Sequence, residues 1–388
     1  MHTLATCFRG ARRRCRALFL VALALASSQA GAAALDWQVD ITPGGELFPV
    51  LDLSQAARAG SDSAGGGSGL VTVRVKSATP RKLHLRIETQ GLRAPAIVDA
   101  EIARAGTIDL RPRLDWDRAW LESLHAPRAQ TMRVWLEADG NPAQEREVAV
   151  RLHPLDDALY YVREGKDRVD LGWVFAAYVD PHDPVVDAVL ALARDADNDI
   201  GARTETRAER VDQARAIWSA LGSHGLKYAS GDPALSRGPS IYSQRVRLLS
   251  DSWEQRRANC IDSSVLIASV LERLGIRAFI VLVPGHAFVG FYTGAGKSDA
   301  EFLETTLLGS GSSARGGDAG FEAALAAGRS RWNRVASRLD RRHRPDYAVI
   351  DIETARAYGI IPLAAAGAAG DRPEGASASA VSPIPPTR

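Results

Sequence analysis

Asn259-Cys260-Ile261-Asp262-Ser263-Ser264-Val265-Leu266, continuing to Leu274-Gly275, is the stretch on which the reading of this chain turns. Ile261, Val265, Ala268, Leu271 and Leu274 recur at the spacing of one helix face, Gly275 is a stop, and Cys260 stands at the start. Two apolar runs follow, Arg277 to Val283 and Ala287 to Thr293, which read as strands parted by the Pro284-Gly285 turn. His286 opens the second run, and a later run ends in Phe302-Leu303-Glu304-Thr305-Thr306. Helix, strand, strand, strand is the order of a helix laid on an antiparallel sheet, so the fold class expected is α+β.

Thiol, imidazole and carboxylate at those positions are the parts of an activated sulfur nucleophile. A cysteine in the first turn of a helix feels the partial positive charge of unsatisfied N–H groups, which favours thiolate. His286 is placed to take the thiol proton and return it to a leaving amine. Glu304, on the next strand, is placed to bond the other ring nitrogen and fix its tautomer. Taken singly, such a cysteine is more often a small buried hydrophobe, such a histidine a satisfied core or surface group, and such a glutamate a solvated one. All three fall at element starts or ends where a cleft could form, which adds weight to the functional reading, but their spacing alone does not decide between the two.

The stretch from about Trp218 to Gly309 resembles the transglutaminase-like domain of the papain-like cysteine hydrolase superfamily. The resemblance rests on Ala258-Asn259-Cys260-Ile261-Asp262, Leu274-Gly275-Ile276-Arg277-Ala278, Gly285-His286-Ala287-Phe288-Val289 and Phe302-Leu303-Glu304-Thr305-Thr306. It implies a Cys-bearing helix packed on an antiparallel sheet, with Cys260 as nucleophile, His286 as general base and Glu304 as orienting acid. This chain has Glu304 where the family usually has aspartate, and Phe288 where tryptophan is common. The resemblance covers roughly a quarter of the chain closely and leaves the N-terminal part outside.

Supporting residues are expected nearby. Asp262 matches the acid that often follows the family's cysteine, although stabilising the first helical turn explains it equally well. Gln244, in Tyr242-Ser243-Gln244-Arg245-Val246, is a candidate oxyanion donor, beside the safer Cys260 backbone N–H. Trp218 and Trp253 read as core. His182 and His224 lack partners at metal-ligand spacing, so neither a metal nor another cofactor is expected.

Working outward, residues 1–33 read as a secretory signal. Arg12, Arg13, Arg14 and Arg16 precede a short apolar core, Ala17 to Ala26, and then small residues through Ala33. Cleavage would remove Cys7 and Cys15 and leave one thiol, so no internal disulfide. Five arginines would leave with no acid, taking the net charge from +2 to −3, and nothing then argues for nucleic acid. No later stretch reads as a transmembrane anchor, and a periplasmic or secreted location is expected.

Residues 34–165 read as a β-sandwich-like module. Leu70 to Val75, Lys82 to Ile87, Met132 to Leu136 and Glu147 to Leu152 alternate apolar and polar residues, and Ala138 to Pro142 is turn chemistry. Gly60 to Gly69 reads as a loop, and Arg163 to Val169 as a connector. The cysteine hydrolase domain is expected over 170–364. It should contain a helix capped by Asp183-Pro184, one over about 208–221 stopped by Gly222, a short helical piece at 321–326 and a strand at 347–352. Ser310 to Gly320 and a tail over 365–388 read as unstructured.

The expected function is an exported enzyme that cleaves or transfers an acyl group from an amide through a thioester: a peptidase or amidase, or a transamidase if an amine replaces water. Its partner would be a peptide or protein, cell-envelope material included. The rival expectation is a catalytically inactive scaffold of the same fold, serving as a cell-envelope binding or assembly protein.

Overall fold

A computed structural model describes residues 35–55, 64–164, 167–196, 200–201, 206–230, 240–309, 318–339 and 347–364, and in these the chain is mixed α and β. The expectations for 1–33, for most of the 310–320 loop and for 365–388 lie outside the described residues.

The N-terminal part runs β1 (Asp36–Ile41), β2 (Glu46–Leu47), α1 (Pro49–Leu53), β3 (Val71–Ser77), β4 (Arg81–Glu88), β5 (Ala96–Ile102), β6 (Gly106–Leu110), α2 (Arg118–Glu122), β7 (Arg128–Ala138) and β8 (Gln144–Leu152). Two sheets result, in the orders β1-β3-β6 and β2-β8-β7-β4-β5. Alternation decides which face is buried: Val71, Val73 and Val75 are enclosed while Arg74 and Lys76 are exposed. Asp139 and Gly140 turn β7 into β8 with φ of 53° and 73°, the left-handed pair a tight hairpin favours. Trp37 ties the sheets together, donating from Nε1 to Gln144 at 2.9 Å with the Arg146 guanidinium 4.5 Å from its ring centre.

Of the stretch 163–169, expected as a connector, the described residues are instead strand. β9 (Asp157–Glu164) and β10 (Asp167–Asp170) pair antiparallel, and β9 also pairs with β12 (Ile241–Arg245), with β11 (Lys227–Tyr228) lying between them in sequence. The pairing escapes local reading because its halves are some eighty residues apart.

α3 (Pro184–Ala196) starts as expected, with Asp183 accepting from the Val185 N–H at 2.9 Å. α4 (Arg207–His224) is longer than expected. It opens with a Thr206–Glu209 capping box and passes through Gly222 to end at Gly225, whose φ of 86° closes the helix. After α5 (Leu249–Gln255) and β13 (Arg257–Ala258) comes α6 (Cys260–Arg273), buried continuously from Ile261 to Leu271.

β14 (Ala278–Val283), β15 (His286–Tyr292), β16 (Ala300–Leu303) and β17 (Ala348–Asp351) form an antiparallel sheet in the order β16-β15-β14-β17. α6 packs against β14 and β15. α7 (Asp318–Leu339) packs along β16 and far exceeds the short piece expected, because Phe321, Ala324, Leu325, Gly328, Trp332, Val335 and Leu339 carry one apolar stripe past its arginines. Trp332 stacks on Phe302 with ring centres 4.4 Å apart. α8 (Ile352–Ala357) closes the described chain.

Candidate active site

The start of α6 is held from several sides. Asn259 Oδ1 accepts the Ile261 and Asp262 N–H groups at 2.9 and 3.0 Å, and Asp262 Oδ2 accepts the Asn259 N–H at 3.0 Å. Asp262 also receives the Arg247 N–H at 2.9 Å and Arg247 Nη1 at 2.8 Å. Burial pushes the Asp262 carboxyl up, against the pull of those bonds from Asn259 and Arg247. Its observed work is therefore to fix the helix entry.

Cys260 is the first residue inside that capped turn and is partly exposed. Its carbonyl accepts Ser264 Oγ at 2.6 Å and Thr305 Oγ1 at 3.2 Å, so the residue is tied to its own helix and to the turn after β16. As a first-turn residue, its N–H has no acceptor within the helix.

His286 follows a two-residue turn. Val283 pairs with His286, Pro284 precedes Gly285, and Gly285 has the positive φ of 70° that the third position of a Pro-Gly turn requires. Val289 pairs with Leu303, so one step further along the register sets Glu304 opposite Phe288 and diagonal to His286. His286 Nε2 lies 2.9 Å from Glu304 Oε1 and 3.1 Å from Oε2. Cys260 lies near enough to the imidazole to act on its charge.

Electrostatics follow from that arrangement. Burial alone pulls the His286 imidazolium down, but Cys260 and Glu304 outweigh it and raise the pKa to about 9. Burial pushes Glu304 up, but His286, Thr306 and Arg331 together bring it down to about 2. The pair is accordingly imidazolium and carboxylate across a wide pH range.

No protein-family profile matches the chain, and no curated protein matches it. Among solved structures it is similar to a proposed protease from Parabacteroides distasonis at 11% identity and a TM-score of 0.23, over 60% of this chain and 39% of that one. A proposed cysteine protease from Cytophaga hutchinsonii gives 13% and 0.21, over 61% of this chain and 75% of that one. Red sea bream transglutaminase gives 9% and 0.22, over 63% and 49%. The chain thus spans about two fifths of the first of these and about half of the third.

Among the described residues no hydrogen bond joins Gln244 to this group. Its Nε2 donates to the Arg245 carbonyl at 3.0 Å, and its strand position pairs with Ala158. Two residues that carried no sequence signal are present instead. Tyr228 donates its N–H to the Leu308 carbonyl at 3.1 Å and pairs with Ala258, two residues before Cys260. Burial, then the nearby Cys260 and Glu304 charges, push its phenol up. Arg331 comes from α7, its Nε 2.5 Å from Glu304 Oε2. Neither position belongs to a local motif, and only tertiary pairing brings them in.

Proposed function

We propose that this protein is a cysteine-dependent enzyme that transfers an acyl group from an amide or ester to water, acting as a peptidase or amidase. The observation that carries the reading is the His286–Glu304 pair at 2.9 Å beside Cys260, whose carbonyl is bonded by Thr305 next to that same glutamate. The proton rests on His286 as imidazolium, so Cys260 attacks as thiolate, and the sulfur bonds to the carbonyl carbon while the π pair moves onto oxygen. The Cys260 N–H, which has no acceptor within its own helix, is the donor for that oxyanion. Collapse breaks the C–N bond, and the amine leaves with the proton from His286. His286 next deprotonates water, hydroxide displaces sulfur from the thioester, and the thiol is restored. An amine in place of water makes the same site a transamidase.

The substrate class consistent with this chemistry is a peptide or protein, cell-envelope material included, and the N-terminal sheets serve as a β-sandwich-like module that engages it. Export to the periplasm or medium belongs to the same reading, through the basic and apolar signal of residues 1–33. The test is alkylation with iodoacetamide near neutral pH. Cys260 should react faster than free cysteine, and Cys260→Ala should abolish turnover of peptide and cell-wall amides. Reaction no faster than free cysteine, or activity surviving Cys260→Ala, would overturn the enzyme reading in favour of a scaffold.

A further inference from the structure

The acid of the site is a glutamate, one methylene longer than an aspartate, and a free arm of that length has an extra rotor to spoil its aim. The structure removes that freedom. Thr306 Oγ1 donates to Oε1 at 2.8 Å and Arg331 Nε to Oε2 at 2.5 Å, while His286 Nε2 faces both oxygens. The Glu304 side chain is 4% exposed.

We propose that Arg331 is a positioning residue that lets a glutamate serve as the orienting acid, acting through Glu304 on His286 and Cys260. The inference rests on the reading of those three residues as the reacting set.

α7 grips Glu304 twice. Its Ala324 carbonyl accepts the Glu304 N–H at 3.0 Å, and Arg331 holds the carboxylate two turns later. Ala324, Gly328 and Arg331 share one helix face. Gly328 makes the approach possible, since a Cβ there would stand 2.2 Å from the Phe302 carbonyl oxygen. The other described arginines of α7 are engaged elsewhere: Arg329 with Glu301, Arg334 with Ser330 and Arg338 with Tyr347. Arg331 therefore acts on the site as a charge as well as a clamp. A guanidinium on Oε2 draws negative charge away from His286, so its loss strengthens the carboxylate's hold on the imidazolium and makes a neighbouring thiolate harder to form.

The test measures the iodoacetamide alkylation rate of Cys260 against pH, with thermal melts alongside, in wild type, Arg331→Gln, Arg331→Lys and Arg334→Gln. In Arg331→Gln both limbs of the profile should move to higher pH by about half a unit, and the plateau should fall by about tenfold as the arm loosens. Arg331→Lys, which keeps the charge but not the Nε donor, should lose plateau rate with its limbs in place. Arg334→Gln should superimpose on wild type. An Arg331→Gln profile that coincides with wild type overturns the proposal. Should Arg331→Gln fail to fold, Arg331→Lys decides, and wild-type rates across its profile overturn it. A wild-type profile that follows that of free cysteine at every pH sinks the reacting-set reading and this proposal with it. The coincident profile sinks this proposal alone.

Discussion

At the scale of single residues, the charges of the site fix its response to pH. His286, raised from its ordinary 6.5 to about 9, contributes stability that is complete below 6.5 and is lost as pH rises through about 9. Glu304, lowered from 4.5 to about 2, contributes stability that is complete above 4.5 and is lost as pH falls through about 2. The ion pair therefore supports the fold most between 4.5 and 6.5. The melting-temperature gap between wild type and Glu304→Gln should be widest in that window and should narrow on either side. A gap that widens toward pH 9 would contradict the assignment. Cys260, His286 and Glu304 stand where periodic elements begin or end, and the motifs around them, rather than their spacing, single them out as candidates in the sequence. Tyr228 and Arg331 could not be found that way, since one is fixed by a two-residue parallel pairing with β13 and the other sits among several similar arginines.

Elements differ in the same way. α6, β14 and β15 were legible because their apolar residues hold a single period and a Pro-Gly pair separates the strands. α7 was underread because Gly328 and the arginines after it look like helix breakers and solvated surface. Gly328 also gives a test whose sign separates two effects. Helix propensity alone would make Gly328→Ala stabilising by about 1 kcal/mol. Here the new Cβ meets backbone atoms of Phe302 and Leu303 at 2.2 to 2.9 Å, and backbone cannot swing aside. Overpacking should win, with a net loss of about 1–3 kcal/mol in urea unfolding. Activity should fall as well, because the helix that withdraws carries both holds on Glu304. A stabilised variant would show that α7 does not press on β16.

Across the whole molecule, the least legible feature is how the N-terminal part joins the rest. β9 pairs with β12, and a buried histidine sits at the same junction. His153 is fully enclosed, with Nδ1 2.7 Å from Asp157 Oδ2, Nε2 bonded to Glu46 Oε2, and its ring stacked on Phe48 at 3.9 Å. Asp157 is equally buried, and its Oδ1 has no partner among the described residues. His153→Ala should cost about 3–5 kcal/mol, since it strands a buried carboxylate, and replacing Asp157 by leucine in the same chain should recover part of that loss. Denaturant titration of the two variants measures both.

The spacing of Ala324, Gly328 and Arg331 also travels beyond this one molecule. It amounts to a signature readable from a string of letters: Glu-Thr-Thr after an aromatic strand, then alanine, glycine and arginine at intervals of four and three. Chains that keep the longer acid should keep that arginine, and chains that shorten it to aspartate are released from the need.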